Sequence, residues 1–178
     1  MLIPVFDAGA ELSRTLGGLS SDATPFDIVL VDDGSEPPVA VPSHVGVHPV
    51  TVLRHDRNRG VAHALNTGLA WILDRPYDAV ARLDAGDTNE PGRLAEQSAF
   101  LEAHPDTGIV GAWTRHVDER MRPLYTTRYP ADWNGIRRCF HYRSPFSHPA
   151  CMIRCDALRA VGGYDPAYAL AEDYDLFW

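Results

Sequence analysis

The sequence predicts an α/β fold: a mixed, mostly parallel sheet with helices on both faces. Two observations predict it. Short apolar runs alternate with segments of helical period through the first hundred or so residues. Several of those runs stop abruptly at Asp/Gly/Ser turn clusters, as strands do in open sheets. The chain has 178 residues, 45% apolar and 22% charged. That is enough to bury roughly two-thirds of its unfolded surface without a disulfide or metal staple.

Leu2 to Phe6 reads as the first strand, and Leu12, Leu16 and Leu19 fall at helical spacing behind it. Asp27 to Val31 is a compact apolar strand closed by Asp32-Asp33-Gly34-Ser35. A Pro/Val-rich connection from Pro37 to Pro49 leads to a β run at Val50–Leu53, then to a helix face of Val61, Leu65, Leu69 and Ile72. Asp78 to Leu83 is the next strand, ending in Asp84-Ala-Gly-Asp87. Pro91 suits the first turn of a helix that carries Leu94, Ser98 and Leu101 on one side.

The second half is less regular. Gly108–Trp113 reads as a strand, Met121–Tyr129 as a hairpin or loop, and Asp132–Phe140 as a helix. Pro149–Arg154 is strand-like, Asp156–Val161 is a short helix stopped by Gly162-Gly163, and Ala171–Trp178 starts another. No linker divides the chain, which predicts a single domain over 1–178, with a regular half of about 1–105 and a less regular half of about 106–178. The first strand has almost no residues before Pro4 and the last helix has about two turns, so a shortened chain or part of a larger protein is expected.

Composition excludes several functions. Sixteen basic against twenty-four acidic residues give a net charge of −8, which argues against nucleic acid or a strongly anionic membrane as partner. Every basic residue is arginine, so a lysine Schiff base and a P-loop lysine are ruled out. No stretch reaches the roughly 20 apolar residues of a membrane span. Three cysteines without a signal peptide predict a reducing, cytoplasmic setting. Cys151, Cys155 and nearby His148 lack zinc-site spacing, and the cysteines read better as small core residues.

The informative feature is where the acids fall. Asp7 follows the first strand, Asp32 and Asp33 the second, Asp84 and Asp87 the fourth. In a parallel sheet these strand ends share one edge, where such sheets bind ligands. Any one of them is explained by an Asx turn or a helix cap; three groups together point to a site. Two carboxylates at ~4 Å repel by ~4 kcal/mol at an effective dielectric of 20, so arginines or a divalent cation must offset them. All-oxygen ligands suit Mg2+ or Mn2+, which would also neutralise a diphosphate. Asn58-Arg59-Gly60 opens a helix whose amides, with Arg57 or Arg59, suit phosphate or ribose oxygens. Gly60 and Gly68 match neither the P-loop nor the dinucleotide fingerprint. Late in the chain, Glu172 and Asp173 sit at a helix start. They complement its dipole, or one of them serves as a general base, with Phe177 on Asp173's side of the helix.

Taken in order, these motifs resemble glycosyltransferase family 2, the inverting nucleotide-sugar transferases of GT-A (Rossmann-like) fold. They are Ile3-Pro-Val-Phe6, Ile28 to Ser35, Asn58-Arg-Gly60 with Ala64 to Gly68, Arg82 to Asp87 with Pro91 to Leu94, Ser147-His-Pro149, and Gly162 to Asp165 with Glu172 to Asp175. The Arg-Leu-Asp-Ala-x-Asp and Ser-His-Pro pieces are most similar to bacterial surface-polysaccharide transferases. The resemblance implies that Pro4, Val5 and Phe6 line a nucleobase pocket and that Asp33 accepts a hydrogen bond from the base. It implies Arg59 and Asp84 at the nucleotide, Asp84 and Asp87 at the metal, and Asp173 as the base that deprotonates the acceptor. The expected partners are a nucleotide-sugar donor and a saccharide or lipid-linked saccharide acceptor, met at the inner face of a membrane by peripheral association. Gly86 interrupts the family's run of acids, and Asp7 stands where the family usually has Asn. A non-catalytic nucleotide- or sugar-binding module is the alternative. A sugar-phosphate nucleotidyltransferase ranks last, because Asp7-Ala-Gly-Ala10 supplies no basic Gly-rich loop.

Overall fold

A computed structural model describes residues 1–178. Three parallel strands form its centre: β1 (Leu2–Val5), β2 (Ile28–Asp32) and β4 (His48–Arg54), with β2 in the middle. All five β2 residues are buried, as expected of a strand covered on both faces. The two-residue β3 (His44–Val45) pairs antiparallel outside β4, within the segment that the sequence reads as a plain connection.

On the other side, β5 (Ala79–Ala81) is joined to β1 by a parallel bridge between Leu2 and Arg82. β9 (Met152–Arg154) pairs antiparallel with β5 and with β6 (Ile109–Val110), and lies between them. The result is the expected mixed α/β sheet with parallel strands at its heart. The expected strand at 108–113 contracts to two residues. The hairpin at 121–129 begins earlier, as β7 (Thr114–Val117) and β8 (Pro123–Thr127).

Strand alternation divides the core. Ile3, Ile28 and Leu30 face α1 (Gly9–Leu19) and α3 (Arg93–Ala103) on one side. Leu2, Val29 and Val31 face α2 (Val61–Leu73) and α5 (Cys155–Val161) on the other. α1 has no capping side chain, a deficit of about 1 kcal/mol. Burial of Leu12, Leu16 and Leu19 outweighs it by several-fold, at about 1.5–3 kcal/mol for each leucine. Packing rather than capping holds this helix. α4 (Trp133–Cys139) is capped instead by Asp132, which accepts the Gly135 N–H at 2.9 Å.

The last helix, α6 (Glu172–Phe177), docks through Phe177, whose ring lies 5.4 Å from Phe146. Cys151 and Cys155 are buried among these apolar side chains. No helix is long and apolar enough to cross a membrane.

Candidate functional site

The carboxyl ends of β1, β2, β4 and β5 and the start of α2 meet at one edge of the sheet. Asp7 takes a left-handed backbone conformation, φ 49°, which Asn and Asp adopt more readily than other side chains. Its N–H donates to Ser35 Oγ at 3.0 Å, and its carboxylate accepts the Glu36 N–H at 3.0 Å. Gly34, at φ 86°, brings this turn so close to the next loop that an added Cβ would lie 2.4 Å from the Arg57 carbonyl carbon. Of the three residues expected to line a base pocket, Phe6 presents a half-exposed ring and Pro4 is partly buried. Val5 is buried in the core with α1, so its side chain is withdrawn from that wall.

The two neighbouring acids divide their work. Asp32 accepts the amides of Ser35 (2.9 Å) and Val39 (3.2 Å) and pairs with Arg54. Its pKa is lowered: these hydrogen bonds outweigh the burial that opposes them. Asp33 accepts the Arg59 N–H with both oxygens (3.0 and 3.1 Å), the Gly60 N–H (2.8 Å) and His55 Nδ1 (2.6 Å). That leaves its carboxylate nearly sealed, at 5% side-chain exposure. Asp33, which the resemblance places at the base, thus builds the loop that carries Arg59. The Arg59 side chain is exposed and makes no hydrogen bond or ion pair with the protein.

From Asp33 a polar belt runs across the floor of the site. His55 Nε2 meets Thr67 Oγ1 at 2.8 Å. The adjacent Asn66 clasps the Tyr164 backbone, donating to its carbonyl at 2.7 Å and accepting its N–H at 2.9 Å. The Tyr164 hydroxyl meets His148 Nε2 at 2.7 Å. Arg82 Nε donates to the same nitrogen at 3.3 Å, and Arg82 Nη2 donates to Asp84 Oδ1 at 2.6 Å. Arg82 is 1% exposed and also donates to the carbonyls of Leu2 and Leu83. Sequence reasoning gave no role to Arg82, His148 or Tyr164. The available signal was an arginine on the same strand face as Val80, inside an apolar run; a buried guanidinium requires several acceptors.

Asp84 and Asp87 flank a turn pinned from below by Thr15, whose hydroxyl donates to the Asp87 carbonyl (2.7 Å) and accepts the Gly86 N–H (2.9 Å). Gly86 has φ 103°, a conformation an acidic side chain would enter only under strain, which accounts for glycine between the two acids. The Asp87 carboxyl is raised above its ordinary value, by the protein packed around it first and by Asp84's charge second. Nowhere do three His, Cys, Asp or Glu side chains gather into a metal cage. Magnesium and manganese are often held by one or two carboxylates and completed by substrate phosphates and water. The Asp84–Asp87 pair fits a cation shared in that way with a diphosphate. Beside Asp87 opens a cleft of about 1170 Å³, bounded by Arg93, Trp113, His116, Tyr125 and Ser147.

α6 closes the other end of the belt. Phe177 packs edge-on to His148, with ring centroids 5.9 Å apart. Glu172 turns inward, 9% exposed, with Oε2 buried and unpaired. Asp173 is partly exposed, and its Oδ1 accepts only the Tyr174 N–H, at 2.8 Å. The charges of Asp173 and Asp84 both act on the Tyr164 hydroxyl, whose pKa is raised mainly by burial. Asp84 and Asp173 are 89 residues apart in sequence, yet the charges of both reach one buried phenol.

Burial first and Arg82's charge second push His148 down to about 2. Between that value and its ordinary one of 6.5, the unfolded chain binds a proton that the folded protein refuses. Stability therefore falls as pH drops below about 6.5, at up to about 1.4 kcal/mol per pH unit. Denaturant midpoints measured from pH 7.5 to pH 5 check this expected decline, and His148→Gln should flatten it.

The chain superposes on transferases of GT-A fold. It matches S. aureus TarS in complex with UDP with a TM-score of 0.72 at 18% identity, covering 98% of this chain and 52% of that one. It matches the mannosyltransferase PcManGT from Pyrobaculum calidifontis, in complex with GDP-Man and Mn2+, with a TM-score of 0.68 at 19% identity, covering 98% and 49%. Residues 1–162 match the family model for glycosyl transferase family 2, and the chain belongs to that family. Among relatives, it is 31% identical over 154 residues to the amylovoran biosynthesis glycosyltransferase AmsE of Erwinia amylovora, covering 85% of this chain and 56% of that protein. It is 28% identical over 182 residues to the UDP-Gal:alpha-D-GlcNAc-diphosphoundecaprenol beta-1,3-galactosyltransferase of Escherichia coli, covering 99% and 64%. The chain thus spans between half and two-thirds of the length of these relatives.

Proposed function

We propose that this chain is the catalytic part of an inverting transferase. It moves a hexosyl unit from a nucleotide-sugar donor to a hydroxyl of a saccharide or lipid-linked saccharide, in the assembly of a cell-surface polysaccharide. The observation that carries this reading is the belt from Asp33 to Asp84, with the helix that bears Asp173 packed against its His148 through Phe177. Acids scattered along the sequence converge around one floor, as a reaction between two bound sugars requires. The activities of the Erwinia and Escherichia relatives support the substrate class.

Residues 1–178 act in this reading as one domain. The half up to about residue 105 holds the nucleotide: Phe6 offers a ring face to the base beside Pro4, Asp33 secures the 58–60 loop, and Arg59 reaches phosphate or ribose. Asp84 and Asp87 hold Mg2+ or Mn2+, which neutralises the charge of the departing diphosphate. The half from about 106 faces the acceptor, and the rings of Trp113 and Tyr125 in the cleft beside Asp87 suit the C–H faces of a sugar. Asp173, partly exposed where Glu172 is buried, takes the acceptor hydroxyl proton. The resulting oxygen attacks the anomeric carbon while the bond to the diphosphate breaks on the opposite side, leaving its electron pair on the diphosphate oxygen. The setting is cytoplasmic, at the inner membrane face, reached by peripheral association.

Titration calorimetry with UDP and GDP tests the donor site. Binding is expected to be at least about tenfold tighter with Mn2+ than with EDTA, because two carboxylates and a diphosphate repel one another without a cation. No binding of either nucleotide under either condition would remove the proposal. The glycine at position 86 favours a second reading, a module that binds without turnover. Tight nucleotide binding with no transfer to any acceptor would select it.

A further inference from the structure

The donor, metal and base assignments leave the Ser147-His148-Pro149 motif without a role. His148 opens a 3-10 turn, His148–Ala150, and is half-buried between Arg82 and Phe177. Arg82 Nε, 3.3 Å from His148 Nε2, can only donate. Nε2 must therefore be the acceptor, and the ring hydrogen of the neutral imidazole lies on Nδ1. The Tyr164 hydroxyl, 2.7 Å away, donates to the same nitrogen. Two donors on one lone pair lock the tautomer from beneath.

Nδ1 makes no hydrogen bond with the protein, and it is not among the buried side-chain atoms that lack a partner, which are Gln97 Oε1 and Glu172 Oε2. It is therefore an N–H donor that is not fully sealed and has no partner in the protein. The His148 ring that carries it packs against Phe177 of the helix that holds Asp173, and its Nε2 meets Arg82, which in turn holds Asp84.

We propose that His148 is a specificity-determining residue whose Nδ1–H donates to a hydroxyl of the donor sugar. This rests on the transferase reading above. A sugar transferred from a diphosphate near Asp84 to an acceptor near Asp173 must occupy the space between them. An uncharged donor there suits a neutral hydroxyl and adds no net charge to attract the diphosphate. His148 therefore discriminates for the sugar and is indifferent to the bare nucleotide.

His148→Met separates these roles, because the thioether sulfur can still accept weakly from Arg82 and Tyr164 while no N–H donor remains. With Mn2+ present, UDP and GDP should bind the variant within about twofold of the unaltered protein. For whichever of UDP-GlcNAc and GDP-mannose the unaltered protein binds, affinity should fall by about tenfold, the worth of one neutral hydrogen bond. Equal losses for nucleotide and nucleotide sugar would make His148 scaffolding only, and no loss for either would remove it from the site. If the unaltered protein binds none of the four, the transferase reading fails and this assignment with it. Should His148→Met unfold early, deoxygenated versions of the bound donor sugar decide on the unaltered protein. One missing hydroxyl should cost about tenfold, and a series with no such member overturns the assignment.

Discussion

Replacing Asp173 with Asn should lower sugar transfer by about 10²–10⁴-fold, the usual worth of a general base. Nucleoside diphosphate affinity should stay within about twofold, because Asp173 acts on the acceptor rather than the donor. The physical basis is the contrast between neighbours. Glu172 has an unpaired oxygen shut inside the protein, whereas Asp173 is partly exposed and keeps one oxygen clear of hydrogen bonds. Glu172→Gln should change the rate by less than about tenfold, since a sealed group has no path to the acceptor proton. Single-turnover assays with saturating donor read both effects. An Asp173→Asn protein that transfers at the unaltered rate would overturn the assignment.

Replacing Arg82 with Met should cost about 1–3 kcal/mol of stability, as stranding buried main-chain acceptors does; its ion-pair partner Asp84 is 43% exposed and stays solvated. The side chain is 1% exposed and satisfies two main-chain carbonyls, Asp84 and His148 at once. Methionine fills part of the volume and none of the acceptors. The comparison is Arg115→Met: Arg115 lies 3.7 Å from Glu90 with both side chains more than half exposed, and its loss should cost less than about 1 kcal/mol. Urea denaturation of the two variants reads the difference directly. A similar, small loss for both would mean that Arg82 is not the fastening between the strand end and the Ser-His-Pro turn.

Much of this architecture is visible in the amino acids, for a reason that also explains what is not. β2 and α2 declare themselves because their burial is local and periodic: Ile28 to Val31 is continuously apolar, and Leu65, Leu69 and Ile72 recur at the helix period. The strand-end acids are legible because parallel strands place their turns on one edge. The two residues of β3 carry no period, and the seating of β9 between β5 and β6 depends on partners far away in sequence. The division of labour between Asp32 and Asp33 is hidden for a similar reason. Adjacent, chemically identical side chains point to opposite faces, and only the fold shows which one meets the 59–60 amides. The belt is harder still, since Asn66 and Tyr164 bond across 98 positions.

The insertion of β9 also sets an order on folding during synthesis. β1, β2 and β4 can pair as soon as residue 54 has left the ribosome, whereas β5 and β6 wait for the strand that fills the gap between them. At about 5–20 residues per second, that interval lasts some seconds. Over it the nascent chain carries bare strand edges, and chaperone occupancy on arrested chains should be highest just before residues 152–154 emerge.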